Sequence, residues 1–127
     1  MSKKVVNPSA VPKPIGPYNQ SVVVNNFVFT AGQISLEPAT GNMCPGGVTE
    51  QSRQVLNNLK ALLEGAGSSL DKVVKTTVFL KDMNDFAAMN AVYAEFFKAE
   101  NAPARSTIQV ARLPKDALVE IEAVATL

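Results

Sequence analysis

Two spacings of apolar residues organise this chain. Period-two or continuously apolar runs, the signature of strands, cover residues 21–24, 27–33, 72–81, 105–110 and 119–125. Three- and four-residue steps, the signature of an amphipathic helix, place Val55, Leu56, Leu59, Leu62 and Leu63 on one stripe, and Phe86, Met89, Val92, Tyr93, Phe96 and Phe97 on another. Asn25-Asn26 separates the first two runs and suits a tight hairpin, because Asn tolerates positive φ. Pro8, Pro12, Pro14 and Pro17 make the start an extended or looping lead-in, and the Pro- and Gly-rich residues 37–47 form a loop. The first helix is expected over Thr49–Glu64, with Thr49 as N-cap and Gly65 and Gly67 ending it. Asn84 or Asp85 is expected to cap the second.

The order is therefore hairpin, helix, strand, helix, strand, strand. An α+β sandwich satisfies it, with both helices packed on one face of a single sheet. Residues 72–81 are apolar on both faces for much of their length and belong at the sheet's centre. No repeat or second domain appears, so residues 1–127 read as one domain.

The last two runs carry the candidate chemistry. In Pro103–Arg112, Arg105, Thr107 and Gln109 share one face, and Ser106, Ile108 and Val110 the other. In 119–125, Val119, Ile121, Ala123 and Ala125 form the apolar face, with Glu120 and Glu122 opposite. Such alternation is also what any half-exposed strand shows. Arg105, Thr107, Gln109, Glu120 and Glu122 are too polar for a helix-covered core, so they are expected on the sheet's other face, against water or another subunit. A guanidinium can grip a carboxylate through a bidentate fork, and a glutamate can hold a water or move a proton. Paired as a simple hairpin, however, the last strands would set Arg105 and Glu120 roughly 20 Å apart. Either the two strands are not hairpin partners, or a neighbouring chain completes the site.

Composition narrows the chemistry further. The chain has no His and one Cys, which rules out Ser-His-Asp and Cys-His devices, an internal disulfide and the common zinc sets within one chain. Cys44 lies in the long loop with nothing nearby to activate it, and a reducing, cytoplasmic setting is the expectation. A net charge of +1 without a basic run gives no footprint for duplex DNA, and the absence of Trp with only 2 Tyr gives little for base stacking. The start has Lys3 and Lys4 but no apolar core of signal-peptide length, and no stretch approaches a membrane span.

The chain resembles the RidA (YjgF) family of reactive-intermediate deaminases over nearly its whole length. The resemblance rests on the order and spacing of several short motifs: Ile15-Gly16-Pro17-Tyr18, Ala31-Gly32-Gln33, Lys75-Thr76-Thr77-Val78-Phe79, Asn90, Pro103-Ala104-Arg105-Ser106, Ala111-Arg112-Leu113-Pro114-Lys115-Asp116 and Ile121-Glu122-Ala123. It implies a chorismate-mutase-like fold with a mixed sheet, a homotrimer with clefts between subunits, and no cofactor or metal. The implied activity is hydrolysis of 2-aminoacrylate and related enamine or imine acids (2-iminobutanoate, 2-iminopropanoate) to 2-oxo acids and ammonia. By the same resemblance Arg105 clamps the carboxylate and Glu120 positions water, while Tyr18, Asn90 and Gly32 line the cleft. Two positions depart from the pattern. Thr107 stands where several members have Cys, and Ala31 where Ser is common, which bears on substrate range. The alternatives are a 2-oxo acid sensor using the same pocket, and the single-strand ribonuclease activity described for some members.

Overall fold

The computed structural model describes residues 2–127. Its six strands are β1 (Lys4–Val6), β2 (Ser21–Val24), β3 (Phe27–Thr30), β4 (Val73–Leu80), β5 (Ala104–Gln109) and β6 (Val119–Thr126), and its two helices are α1 (Val48–Gly65) and α2 (Phe86–Phe96). The strands form one mixed sheet in the order β1-β2-β3-β6-β4-β5. Both helices cover the same face, as the spacing predicts.

The hairpin forms at Asn25-Asn26, whose φ angles of 49° and 65° give the primed turn that matches strand twist. The α1 stripe of Val55, Leu56, Leu59, Leu62 and Leu63 is fully buried. With Met89, Val92 and Tyr93 of α2, most of it packs on Val28, Val78, Leu80, Val119 and Ile121 of the sheet. At roughly 1.5–3 kcal/mol for each large side chain removed from water, this layer is the main driving force for the fold. A surface ion pair, Arg53–Glu95 at 2.8 Å, links the two helices.

Four details differ from the sequence reading. Lys4–Val6 forms an edge strand on β2 that three residues beside a proline-rich segment do not announce. Helix α1 begins one residue earlier than expected, at Val48. Gly47 is its N-cap, and the Glu50 carboxylate accepts the Gly47 N–H at 2.8 Å, so Thr49 lies inside the first turn. Asp85 does precede α2, but the capping hydrogen bond comes from Asp82, whose Oδ1 accepts the Asn84 N–H.

The fourth difference concerns the faces of β5. This strand is not the hairpin partner of β6. It runs parallel to β4 as the edge strand, and β6 lies antiparallel on β4's other side. Arg105 is in register with Thr76 and Thr107 with Val78, both buried beneath the helices, so Arg105, Thr107 and Gln109 face α2. Ile108 instead lies on the uncovered face, 45% exposed. The reason is physical. At the sheet's edge α2 offers rings and an amide, which can receive a half-exposed cation. Glu120 and Glu122 keep the expected position on the face away from the helices.

Candidate active site

The residues singled out by sequence fall into two groups, one on each face of the sheet. Arg105 stands level with Thr76 on β4, and Glu120 level with Phe79. That separates them by three residues along β4, about 10 Å at the usual strand rise, and by the thickness of the sheet itself. One chain does not bring the two together.

The first group surrounds Glu120. A cavity of about 680 Å³ is walled by Tyr18, Ala31, Gly32, Gln33 and Glu120, with Pro12, Ile15, Ile34 and Leu36 as apolar lining and Lys13 and Lys115 at its margin. Gly32 is indispensable to this arrangement. A Cβ there would come within 2.7 Å of Glu120 Cδ and closer still to Oε2, so only glycine lets the carboxylate lie over the backbone. The strand end is pinned by two buried glutamines. Gln33 exchanges both backbone hydrogen bonds with Ile121, next to Glu120, and its Nε2 donates to Gln20 Oε1 at 2.9 Å. The Ala31 N–H donates to the Gln20 carbonyl at 2.8 Å. Burial raises the proton affinity of Glu120, and the like charge of Glu122 raises it further. The Tyr18 hydroxyl accepts the Ile15 N–H at 3.3 Å, which folds the proline-rich lead-in over the cavity.

The second group surrounds Arg105. Its Nη1 donates to Asn90 Oδ1 at 2.8 Å, and its guanidinium carbon lies 4.6 Å from the centre of the Tyr93 ring and 5.5 Å from that of Phe86. An adjoining hollow of about 410 Å³ is lined by Asn90, Tyr93, Phe97, Lys98, Pro103 and Arg105. Thr107 follows on the same face, half-buried, without lining either cavity. The chain has three arginines. Among the described residues Arg53 and Arg112 are ion-paired to Glu95 and Asp116, whereas Arg105 has no acidic partner. A partly buried guanidinium held by a neutral amide and two rings, with no carboxylate on its fork, is open to an incoming anion.

Of the residues that sequence reasoning named, Tyr18, Ala31, Gly32 and Glu120 fall in one half, Asn90 and Arg105 in the other, and Thr107 lines neither cavity. Sequence reasoning did not assign Gln20, Gln33, Phe86 or Tyr93 a part in the site. Gln33 was visible in the Ala31-Gly32-Gln33 motif, but Phe86 and Tyr93 carry the same signal as any buried helix stripe. Lys115 stood in the Ala111–Asp116 motif without a role, and its backbone lies at φ 54°. No group of three or more Cys, Asp or Glu among the described residues is placed to hold a metal ion.

Residues 8–127 match the Endoribonuclease L-PSP family. The chain belongs to that family, which is also the RidA/YjgF family. It is 52% identical over 127 residues to the 2-iminobutanoate/2-iminopropanoate deaminase of Escherichia coli K12, covering 98% of each chain. It is also 57% identical over 123 residues to a RutC family protein of Pyrococcus horikoshii, covering 97% of each. Among solved structures, the E. coli YjgF gene product matches with a TM-score of 0.90 at 50% identity, covering 97% of this chain and 98% of that one. E. coli TdcF with bound serine matches with a TM-score of 0.91 at 47% identity, covering 98% of each. The curated relatives named as 2-iminobutanoate/2-iminopropanoate deaminases support a deaminase, while matched structures from Thermotoga maritima and Entamoeba histolytica carry the name endoribonuclease.

Proposed function

We propose that this protein hydrolyses small 2-imino carboxylates, 2-iminobutanoate and 2-iminopropanoate among them, to 2-oxo acids and ammonia, in a site completed by a second copy of the chain. The observation that carries the reading is the pair of half-sites. A charged, acid-free guanidinium sits on one face, and a proton-avid carboxylate beside a Cβ-free backbone on the other. Arg105 holds the α-carboxylate in its fork. Glu120 orients a water toward the imine carbon, takes a proton from it as the C–O bond forms, and returns a proton to nitrogen as the C–N bond breaks. Its raised proton affinity suits both tasks. The products balance as one 2-oxo acid and one ammonium ion.

Two further observations support the proposal. The family relatives named as deaminases act on these imines, and TdcF, with the same fold, holds serine, a small 2-amino carboxylate. The open face of the sheet carries Phe27 and Phe29, 41% and 45% exposed, together with Ile108. Burying such a surface between copies in a closed homotrimer would bring one chain's Arg105 toward another's Glu120.

The test couples the protein to a serine or threonine dehydratase and follows 2-oxo acid release while semicarbazide competes for the imine. Arg105→Ala and Glu120→Gln are each expected to abolish the acceleration. Co-expressed, they are expected to restore part of it, because about a quarter of the sites in a randomly mixed ring receive an intact Arg105 from one chain and an intact Glu120 from the next. Hybrids as inactive as the parents would refute the shared site. Single variants with wild-type rates would refute the residue roles.

A further inference from the structure

Tyr93 sits in the helix stripe that sequence periodicity assigns to the core, yet its ring lies under the Arg105 guanidinium at 4.6 Å. Three constraints hold it there. The parallel register sets Thr76 directly beside Arg105, and the Thr76 and Tyr93 hydroxyls are hydrogen-bonded at 2.7 Å, fully buried. The Tyr93 ring also packs on Phe97, with centroids 4.6 Å apart. Phe86, one turn before Asn90, places a second ring 5.5 Å from the guanidinium. Helical spacing puts Phe86, Asn90 and Tyr93 on one flank of α2, so the same turns that bury the core present two rings and an amide to the edge strand.

We infer that Tyr93 is a positioning residue for carboxylate recognition: its ring, packed on Phe97, is the seat that orients the Arg105 fork before an acid arrives. The inference rests on the deaminase reading for Arg105 and adds a residue to it. An arginine free to rotate must surrender rotamer entropy when it binds, whereas one already lying on an aromatic face and held by Asn90 surrenders little. The phenol remains uncharged, because burial holds its proton more tightly than in water, so it offers the guanidinium a π face and no competing anion. The Tyr93 hydroxyl serves Thr76 and the ring serves Arg105. The two functions are therefore separable by mutation.

The experiment compares wild type, Tyr93→Phe, Tyr93→Leu and Arg105→Ala, measuring kcat and KM for the imine, 2-oxobutanoate affinity by calorimetry, and the thermal midpoint. Tyr93→Phe keeps the ring and is expected to hold KM and Kd within about twofold of wild type even as the midpoint falls with the lost Thr76 bond. Tyr93→Leu removes the ring and is expected to raise KM and Kd together by roughly threefold to tenfold, the cost of ordering one long side chain, with kcat changed less. Wild-type Kd in Tyr93→Leu, or equal losses in the two variants, would overturn the inference. If Tyr93→Leu does not fold, the chain's lack of Trp allows a second measurement. In Tyr18→Phe, once calorimetry shows that it binds 2-oxobutanoate, Tyr93 is the sole remaining tyrosine, and saturating ligand is expected to shift its near-ultraviolet absorbance; an unchanged band with ligand bound would overturn the seat. Arg105→Ala separates the two levels of the proposal. Retained 2-oxobutanoate binding there would refute the clamp itself, while lost binding there with a normal Tyr93→Leu would refute only the seat.

Discussion

Replacing Gly32 by Ala should separate activity from stability. The added methyl group would fall within 2.9 Å of Glu120 Cγ and 2.7 Å of Cδ, a distance that real Cβ atoms do not tolerate. Something must move, and the yielding atoms belong to the far half of a glutamate side chain rather than to backbone. Overpacking of about 1 kcal/mol, the low end for a clash that a side chain can relieve, is the expected cost. Gly32 is not among the positive-φ glycines, so alanine also lowers the entropy of the unfolded chain, a gain of about 0.4–1 kcal/mol. The two nearly cancel, and the thermal midpoint should stay within about 4 °C of wild type. Activity should not survive as well. A carboxylate displaced by about 1 Å from a water it must aim can cost about 100-fold in rate. The assay is dehydratase-coupled 2-oxo acid release, read beside a thermal melt and circular dichroism. A fully active, folded Gly32→Ala protein would refute the claim that glycine is there to admit Glu120. A collapsed midpoint would show instead that residue 32 serves the fold.

Three other outcomes follow from the geometry. Glu120 holds its proton more tightly folded than unfolded, so its contribution to stability is present at low pH and lost as pH rises through its raised folded value. Glu120→Gln should therefore melt higher than wild type at neutral pH, with the difference shrinking as pH falls through the carboxylate range. The acid limb of the wild-type kcat/KM profile should correspondingly lie above the ordinary carboxylate range, and a limb at the ordinary value would contradict the burial argument. Lys115 holds a left-handed conformation, φ 54° and ψ 27°, that costs a non-glycine residue about 1–2 kcal/mol, so Lys115→Gly, after the unfolded-chain entropy that glycine restores is subtracted, should stabilise by about 0.5 kcal/mol in chemical denaturation. Leu59 is fully buried between α1 and the sheet, and Leu59→Ala should destabilise by about 3 kcal/mol in chemical denaturation.

What the sequence made legible is what hydrophobic spacing encodes. The two helix stripes, the Asn25-Asn26 turn and the apolar face of β6 all follow from which residues share a side, whereas β4, expected at the sheet's centre, lies one strand in from the edge because β5 alone adds beyond it. Alternation leaves open which side faces the helices when a strand lies at the edge, and β5 shows the consequence. Ile108 looks like the core residue of its strand and Arg105 like the solvent residue. The actual arrangement is the reverse, because α2 meets β5 with Phe86, Asn90 and Tyr93 rather than with an aliphatic surface. The parallel pairing of β4 with β5 was equally hidden. It depends on α2 serving as a crossover, after which β6 enters on β4's far side. Short elements such as Lys4–Val6 carry too few residues for a period to show.

The division of the candidate site between two faces is itself a product of register. Arg105 opposes Thr76, and Glu120 opposes Phe79, an even-numbered and an odd-numbered position on one strand whose side chains alternate. Sliding β5 by one residue would turn Arg105 to Glu120's face and lay the two groups on one surface. That slip would also set Ser106 and Ile108 toward α2 and leave the Tyr93 and Phe86 rings without their cation, while stranding Asn90 without the guanidinium that donates to it. The observed register keeps the rings, the amide and the Thr76–Tyr93 hydrogen bond satisfied together. Arg105 therefore faces α2 for reasons of local packing, and Glu120 faces away because Val119 and Ile121 on either side of it are drawn into the core. With both orientations fixed independently by burial, no adjustment within one chain can close the site. A site that uses both groups, as we propose, therefore takes its second half from another copy of the chain.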